Sequence, residues 1–108
     1  MSGGKQNVAL VVQDRGRYAA AMVRTLAQAD TFALHPAPSA RQALGLVRGQ
    51  QDIAMIVVPR GFSREIAAGG PARVEMTLDN LNHDFADDAR RGLSLAVATF
   101  EREIRSVL

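Results

Sequence analysis

Two stretches of the chain are apolar without interruption, and the rest can be placed around them. Val8-Ala9-Leu10-Val11-Val12 and Ile53-Ala54-Met55-Ile56-Val57-Val58 are rich in β-branched residues and have no polar face. Runs of this kind mark strands covered on both sides, as in the middle of a parallel sheet. The first strand is expected over Asn7 to Gln13, closed by the turn Asp14-Arg15-Gly16-Arg17. The other central strand ends at Pro59, which has no N–H to give to a ladder. Gly61 then permits a sharp turn, and Ser63 is placed to cap a short helix over Ser63 to Ala68.

The remaining elements follow from weaker periodicities. Tyr18, Met22, Leu26 and Ala29 recur at helical spacing in an alanine-rich segment, so a helix is expected from Tyr18 to Ala29 with that stripe on the sheet. Thr31 to His35 reads as a short strand with Phe32 and Leu34 on one face. Pro36 and Pro38 suit the edge of a sheet. Ser39-Ala40-Arg41-Gln42 has the form of a capping box. The helix it opens buries Ala40, Ala43, Leu44 and Val47 and stops at Gly49. After Gly69-Gly70-Pro71, Arg73 to Asp79 alternates, with Val74, Met76 and Leu78 inward and Arg73, Glu75 and Thr77 outward. That is a half-exposed edge strand. His83 or Asp84 opens the last helix, on which Phe85, Ala89, Leu93, Ala96, Phe100, Ile104 and Val107 form one stripe.

Strand and helix alternate four times. The expected fold is therefore α/β: a small parallel or mostly parallel four-stranded sheet, order 2-1-3-4, flanked by helices and ending in a long C-terminal helix. All 108 residues form a single domain. Residues 1–6 are expected to lie outside the fold, with Met1 to Gly4 as an expression remnant and the chain as a piece of something larger. In this arrangement of strands and helices, the first strand starts and the last helix ends at one edge of the sheet. Strands of five or six residues span about 18 Å, and a helix of roughly 24 residues about 36 Å. The last helix should then overrun the sheet by about half its length. It would leave an apolar stripe (Leu93, Phe100, Ile104, Val107) to be covered by a second copy or to stand near a membrane.

Composition narrows the function classes. Apolar residues make up 47% of the chain and charged residues 22%, as in a folded globular domain. The net charge is +2, and Lys5 is the only lysine. The arginines are scattered along the sequence and aromatics are few, so no nucleic-acid partner is expected. Cysteine is absent, which removes disulfides and thiolate metal sites. No apolar run approaches the ~20 residues of a membrane helix, and the start has no signal-peptide core.

Candidate chemistry is sparse, and no catalytic residue, cofactor or metal is assigned. Asp79, Asn80, Asn82, His83, Asp84, Asp87 and Asp88 form the densest polar cluster. A divalent cation could be held there, but turn residues, an N-cap and acids favoured by the helix dipole account for the same pattern. His35 reads as a surface residue of an edge strand. Ligands of open parallel sheets sit outside the carboxyl ends of the strands. That rim is expected to gather Gln13, Asp14, Arg15, Arg17, Arg60, Asp79 and Asn80 for a ligand or a partner. Asp14 and Arg60 could also pair structurally.

Several blocks of the chain, in order, resemble the extracytoplasmic domain of bacterial type-2 ATP-binding-cassette (ABC) transporter permeases. Val8 to Val12 with Gln13-Asp14 resembles the opening strand and polar turn. Ala40 to Gly49 with Asp52 to Pro59 resembles the helix-glycine-strand block. Pro59, Phe62 and Ser63 resemble a proline, two residues, Phe-Ser turn, and Gly69 followed by Arg73 to Asp79-Asn80 resembles the closing strand. Arg15-Gly16 departs from the family, which has an acid after the first strand's aspartate. The similarity runs from about Asn7 to Phe100. It implies a non-enzymatic domain inserted between the first and second membrane helices of a bacterial inner-membrane exporter, on the extracytoplasmic (periplasmic) side. The implied partners are the membrane helices of the same permease, a cytoplasmic ABC ATPase subunit, a periplasmic adaptor and a second copy in a homodimer. Two other readings of the residues are a free-standing cytosolic α/β binding or regulatory module and a small metal-dependent hydrolase using Asp79 to Asp88.

Overall fold

A computed structural model describes residues 6–49, 52–78 and 83–107. The order is β1 (Gln6–Val12), α1 (Arg17–Gln28), β2 (Phe32–Pro36), α2 (Ala40–Arg48), β3 (Ala54–Val58), α3 (Phe62–Ala67), β4 (Glu75–Leu78) and α4 (His83–Val107). The four strands form one sheet in the order β2-β1-β3-β4. β1 begins at Gln6, whose N–H donates to Thr31 O at 3.2 Å, so the strand starts one residue before the sequence suggested. Residues 1–5 lie outside the described residues.

The two uninterrupted apolar runs are the two central strands, as their patterning requires. All five residues of β3 are buried, because helices cover both faces of the sheet. On one face Val8, Leu10, Phe32, Ala54, Ile56 and Val58 pack against α1, α3 and α4. On the other, Ala9, Val11, Met55 and Val57 pack against Ala43 and Val47 of α2 alone. Met22 and Leu26 of α1 are fully buried, and Tyr18 and Ala29 pack at the margin of the core. On α2 it is Leu46, not Leu44, that joins Ala40 beside the buried pair. Ser39 Oγ accepts from Gln42 N–H at 3.2 Å, which makes one half of the capping box. Pro36 lies in β2, an edge strand, where it is tolerated.

β1 pairs in parallel with both β2 and β3, but β4 runs antiparallel to β3, with Val57 opposite Glu75 and Ala54 opposite Leu78. This overturns the expectation that both ends of the fold meet at one edge. β3 ends at the carboxyl edge, and α3 is only six residues long, about 9 Å. That is too short to carry the chain back across the sheet, so β4 starts where β3 stopped and descends beside it. α4 therefore rises from the amino edge to the carboxyl edge. Gly92 lies against Thr31, just before β2, while Phe100 meets Phe62, just after β3. β1 begins at the amino edge and α4 ends at the carboxyl edge.

The projecting apolar stripe is likewise corrected. Ala86, Ala89, Ala96 and Phe100 are buried, and Leu93 and Ile104 pack on the same core. The stripe is the inner face of the domain's own helix. The side chains of Phe85 and Val107 lie outside the described residues. A Cβ added at Gly92 would stand 2.8 Å from Thr31 Oγ1, so the helix approaches the sheet closely there. No described helix is long and apolar enough to cross a membrane.

Candidate functional site

The carboxyl edge is organised by Asp14. It follows β1, where the strand order switches direction between β1 and β3, the usual place for a crevice in an open α/β sheet. Here the crevice is closed by hydrogen bonds. Asp14 Oδ1 accepts from Gly16 N–H at 2.6 Å, and Oδ2 accepts from Ser63 N–H at 2.7 Å. Ser63 Oγ in turn accepts from Ala19 N–H at 3.1 Å. Asp14 and Ser63 thus satisfy orphan donors at the starts of α1 and α3 together. The backbone N–H of Ser63 and then that of Gly16 hold the Asp14 carboxyl below its ordinary pKa, with the Arg64 charge adding a smaller pull.

Two details of the sequence reading change at this point. Ser63 does not cap its own helix. The N-cap of α3 is Gly61 in the left-handed region (φ 81), and the Ser63 hydroxyl serves α1 instead. No ion pair joins Asp14 to Arg60 among the described residues, because the carboxylate is occupied by backbone donors. The loops touch closely enough that a Cβ at Gly16 would fall 2.3 Å from Ser63 Oγ. The departure Arg15-Gly16 therefore has a structural consequence: glycine is the residue that lets the two loops meet.

Around this knot stand Arg15, Arg17, Arg60 and Arg64, all exposed. Arg17 lies over the Tyr18 ring, 4.8 Å from its centroid, and donates to the Tyr18 hydroxyl at 3.0 Å. Folding thus concentrates positive charge that is scattered in sequence. Gln13 is also exposed at this edge. β4 ends at Leu78 on the amino edge. Asp79 and Asn80, expected on the rim from the sequence, and Asn82 lie outside the described residues. Asp87 and Asp88, from the same polar cluster, face Arg90 and Arg91 one helical turn on, at 3.9 and 3.8 Å.

The structure also shows a pair that the sequence reading missed. Asp52, 1% exposed, lies at the entry to β3 and bonds His35 Nε2 through Oδ1. Its Oδ2 has no partner among the described residues. The missed signal is strand parity. His35 points away from the face shared by Phe32 and Leu34, and α2 covers that opposite face. Only Asp52 is buried, the His35 side chain being 43% exposed, and removing the histidine leaves the carboxylate's desolvation cost uncompensated. His35→Ala should therefore lose roughly 1–3 kcal/mol of unfolding free energy. A His35→Ala/Asp52→Leu double variant should recover part of it, since an apolar side chain at the buried Asp52 position carries no unpaired charge. Urea unfolding followed by circular dichroism measures both, and an unaltered midpoint for His35→Ala would show that the pair contributes nothing.

Neither a family model nor a curated protein matches the chain. Among solved structures, a domain of a candidate ABC type-2 transporter from Thermotoga maritima has the same fold. It superposes with a TM-score of 0.72 at 24% identity, over 95% of this chain and 71% of that one.

Proposed function

We propose that the chain is a non-catalytic domain of an ABC type-2 transporter, carried on the extracytoplasmic side of an exporter permease and working with a cytoplasmic ATPase that does the hydrolysis. The observation that supports this most is the likeness in fold to the Thermotoga domain over 95% of the chain. The blocks Val8–Asp14, Ala40–Pro59 and Gly69–Leu78 add to it, because they fall in the family's order on β1, α2–β3 and β4. The carboxyl edge fits a binding role better than a catalytic one. Its most shielded carboxylate, Asp14, is committed to backbone donors, and the surrounding arginines offer charge without a nucleophile.

The corrected direction of β4 places a demand on this reading. An insert whose ends leave at opposite edges needs one connecting segment to run the height of the sheet, roughly 20 Å or six extended residues. The α4 stripe is also withdrawn as a dimer face, since Phe100 is core. Pairing of permeases and capture of a periplasmic adaptor then fall to other surfaces of the full-length protein.

The chain itself has no cysteine, so a single Arg41→Cys on the exposed first turn of α2, with any cysteines elsewhere in the full-length product replaced by serine, gives a clean topology probe. In intact cells carrying the full-length gene product, a membrane-impermeant maleimide should label this cysteine without lysis. The labelled protein should stay with the membrane fraction through a carbonate wash. Labelling that requires lysis, in a protein found in the soluble fraction, would overturn the proposal in favour of a free-standing cytosolic module.

A further inference from the structure

The two edges of the sheet carry different charge. At the carboxyl edge Arg15, Arg17, Arg60 and Arg64 flank the contact between the β1–α1 and β3–α3 loops. No carboxylate lies within 4.0 Å of any of their guanidiniums among the described residues, and Asp14, the nearest acid in sequence to Arg15, is turned inward to backbone N–H groups. Two exposed acids also stand at this edge, Glu65 on α3 and Glu75 at the start of β4 opposite Val57. At the amino edge exposed Asp30, Asp87 and Asp88 are balanced by Arg48 at the end of α2 and by Arg90 and Arg91, the last two drawn to Asp87 and Asp88. The positive end also exposes apolar surface. Val12, the last residue of β1, is 43% exposed at the same rim. Tyr18 lies half-buried beneath Arg17.

We infer that the carboxyl edge is a docking face for an anionic bilayer surface, with Arg15, Arg17, Arg60 and Arg64 among the lipid phosphates and Val12 at the boundary of the acyl region. Guanidiniums with no carboxylate partner, around one exposed aliphatic residue, match a surface that is negative outside and apolar beneath. Arginine suits this role because its planar fork binds phosphate oxygens in pairs. A nucleic-acid partner fits less well. Four charges neutralise few phosphates, and Tyr18 is covered by Arg17 while Phe62 is buried, so neither offers a stacking platform. The docking face does not depend on the transporter reading, because an anionic leaflet would meet it on either side of a membrane.

The test is sedimentation of the whole chain with vesicles of phosphatidylcholine containing about a third phosphatidylglycerol, set against pure phosphatidylcholine, at 50 mM salt. Binding is expected to the anionic vesicles alone and should vanish at 0.5 M salt, where the screening length falls to roughly 4 Å. Each arginine near such a surface contributes about fivefold in partition. Arg15→Gln/Arg60→Gln should therefore bind about twenty-five-fold more weakly. Arg90→Gln/Arg91→Gln, at the other edge, should bind as the unaltered chain does. Melting curves show whether each variant is folded, and Arg17→Gln/Arg64→Gln stands in should the first variant not fold. Equal binding of either folded carboxyl-edge variant and the unaltered chain would overturn the inference, as would no binding at 50 mM salt. Displacement by millimolar inorganic phosphate would assign the arginines to a free anion, and tighter capture by a 20-nucleotide strand would assign them to nucleic acid. Either result would sink the lipid face while leaving the topology experiment unaffected.

Discussion

Phe100→Ala should lose about 3–5 kcal/mol of unfolding free energy, as expected for deleting a buried aromatic ring. Phe100 is 1% exposed, and its ring centroid is 5.6 Å from that of Phe62 at 47°, a tilted aromatic pair. Domains of this size hold about 5–15 kcal/mol in all, so the variant should stand near its unfolding threshold at 37 °C. A projecting helix would behave differently: the same truncation would leave the monomer's stability intact and disturb only association. Leu95 on the same helix is 63% exposed, and Leu95→Ala should change stability by no more than about 0.5 kcal/mol. Urea unfolding of the two variants separates the cases. Equal, small effects would mean that α4 does not pack as described.

That contrast shows where the sequence was legible. The strand order and the two central strands could be read from uninterrupted apolar runs, because only strands covered on both faces lack a polar side. The stripe of α4 was also legible, but its destination was not. Periodicity says which face of a helix is apolar and nothing about which neighbour covers it. The direction of β4 was the hinge of the error. Val74, Met76 and Leu78 alternate whichever way the strand runs, so alternation could not decide it. Length could have. From Phe62 to the glycines at 69 and 70 there is room for a helix of less than two turns, and a parallel return needs a crossover of a dozen residues or more. A short helix closed by Gly69, which takes φ 87, signals a chain that turns back at the same edge.

The candidate site was legible as a location more than as a set of roles. Gln13, Asp14, Arg15, Arg17 and Arg60 do share the carboxyl edge, because β1 and β3 are neighbours and parallel. Their roles depend on contacts between loops 44 and 49 residues apart in sequence, which no local pattern encodes. Ser63 looked like a local cap because serine just after a turn usually is one. The glycine at 61 took that place, and the hydroxyl was left for the neighbouring helix. His35 is the edge-strand surface residue that the sequence suggested, its side chain 43% exposed, but its bond to a buried carboxylate had no local signal. Its neighbour Asp52 is distant in sequence, and the burial of that carboxylate comes from packing under the end of α2, where its N–H bonds Leu46 O.

Asp14→Ala should cost about 2–3 kcal/mol, because it removes the acceptor for two helix-start donors at once and each such cap is worth about 1 kcal/mol. Loss of the Asp14 anchor also frees Ser63, which holds the Ala19 N–H. Asp14→Asn keeps one acceptor oxygen and should lose about half as much. The pH dependence separates this from a simple packing defect. The Asp14 carboxyl has its pKa lowered in the folded state by the Ser63 and Gly16 N–H groups. The unfolded chain then binds the proton more tightly, so the charge-dependent stabilisation is fully present above the unfolded value, about 3.9. It is lost as pH falls below that and through the folded value. Other carboxylates titrate equally in both proteins and cancel in the difference. The gap between the unaltered chain and Asp14→Ala should therefore be constant from pH 7 to about 4.5 and narrow below about pH 4. Urea midpoints at pH 7, 5 and 3 provide the measurement. A gap that keeps its full size at pH 3 and below would show that the carboxylate charge is not what ties α1 to α3, and a gap that closes between pH 7 and 5 would point to a different titrating group.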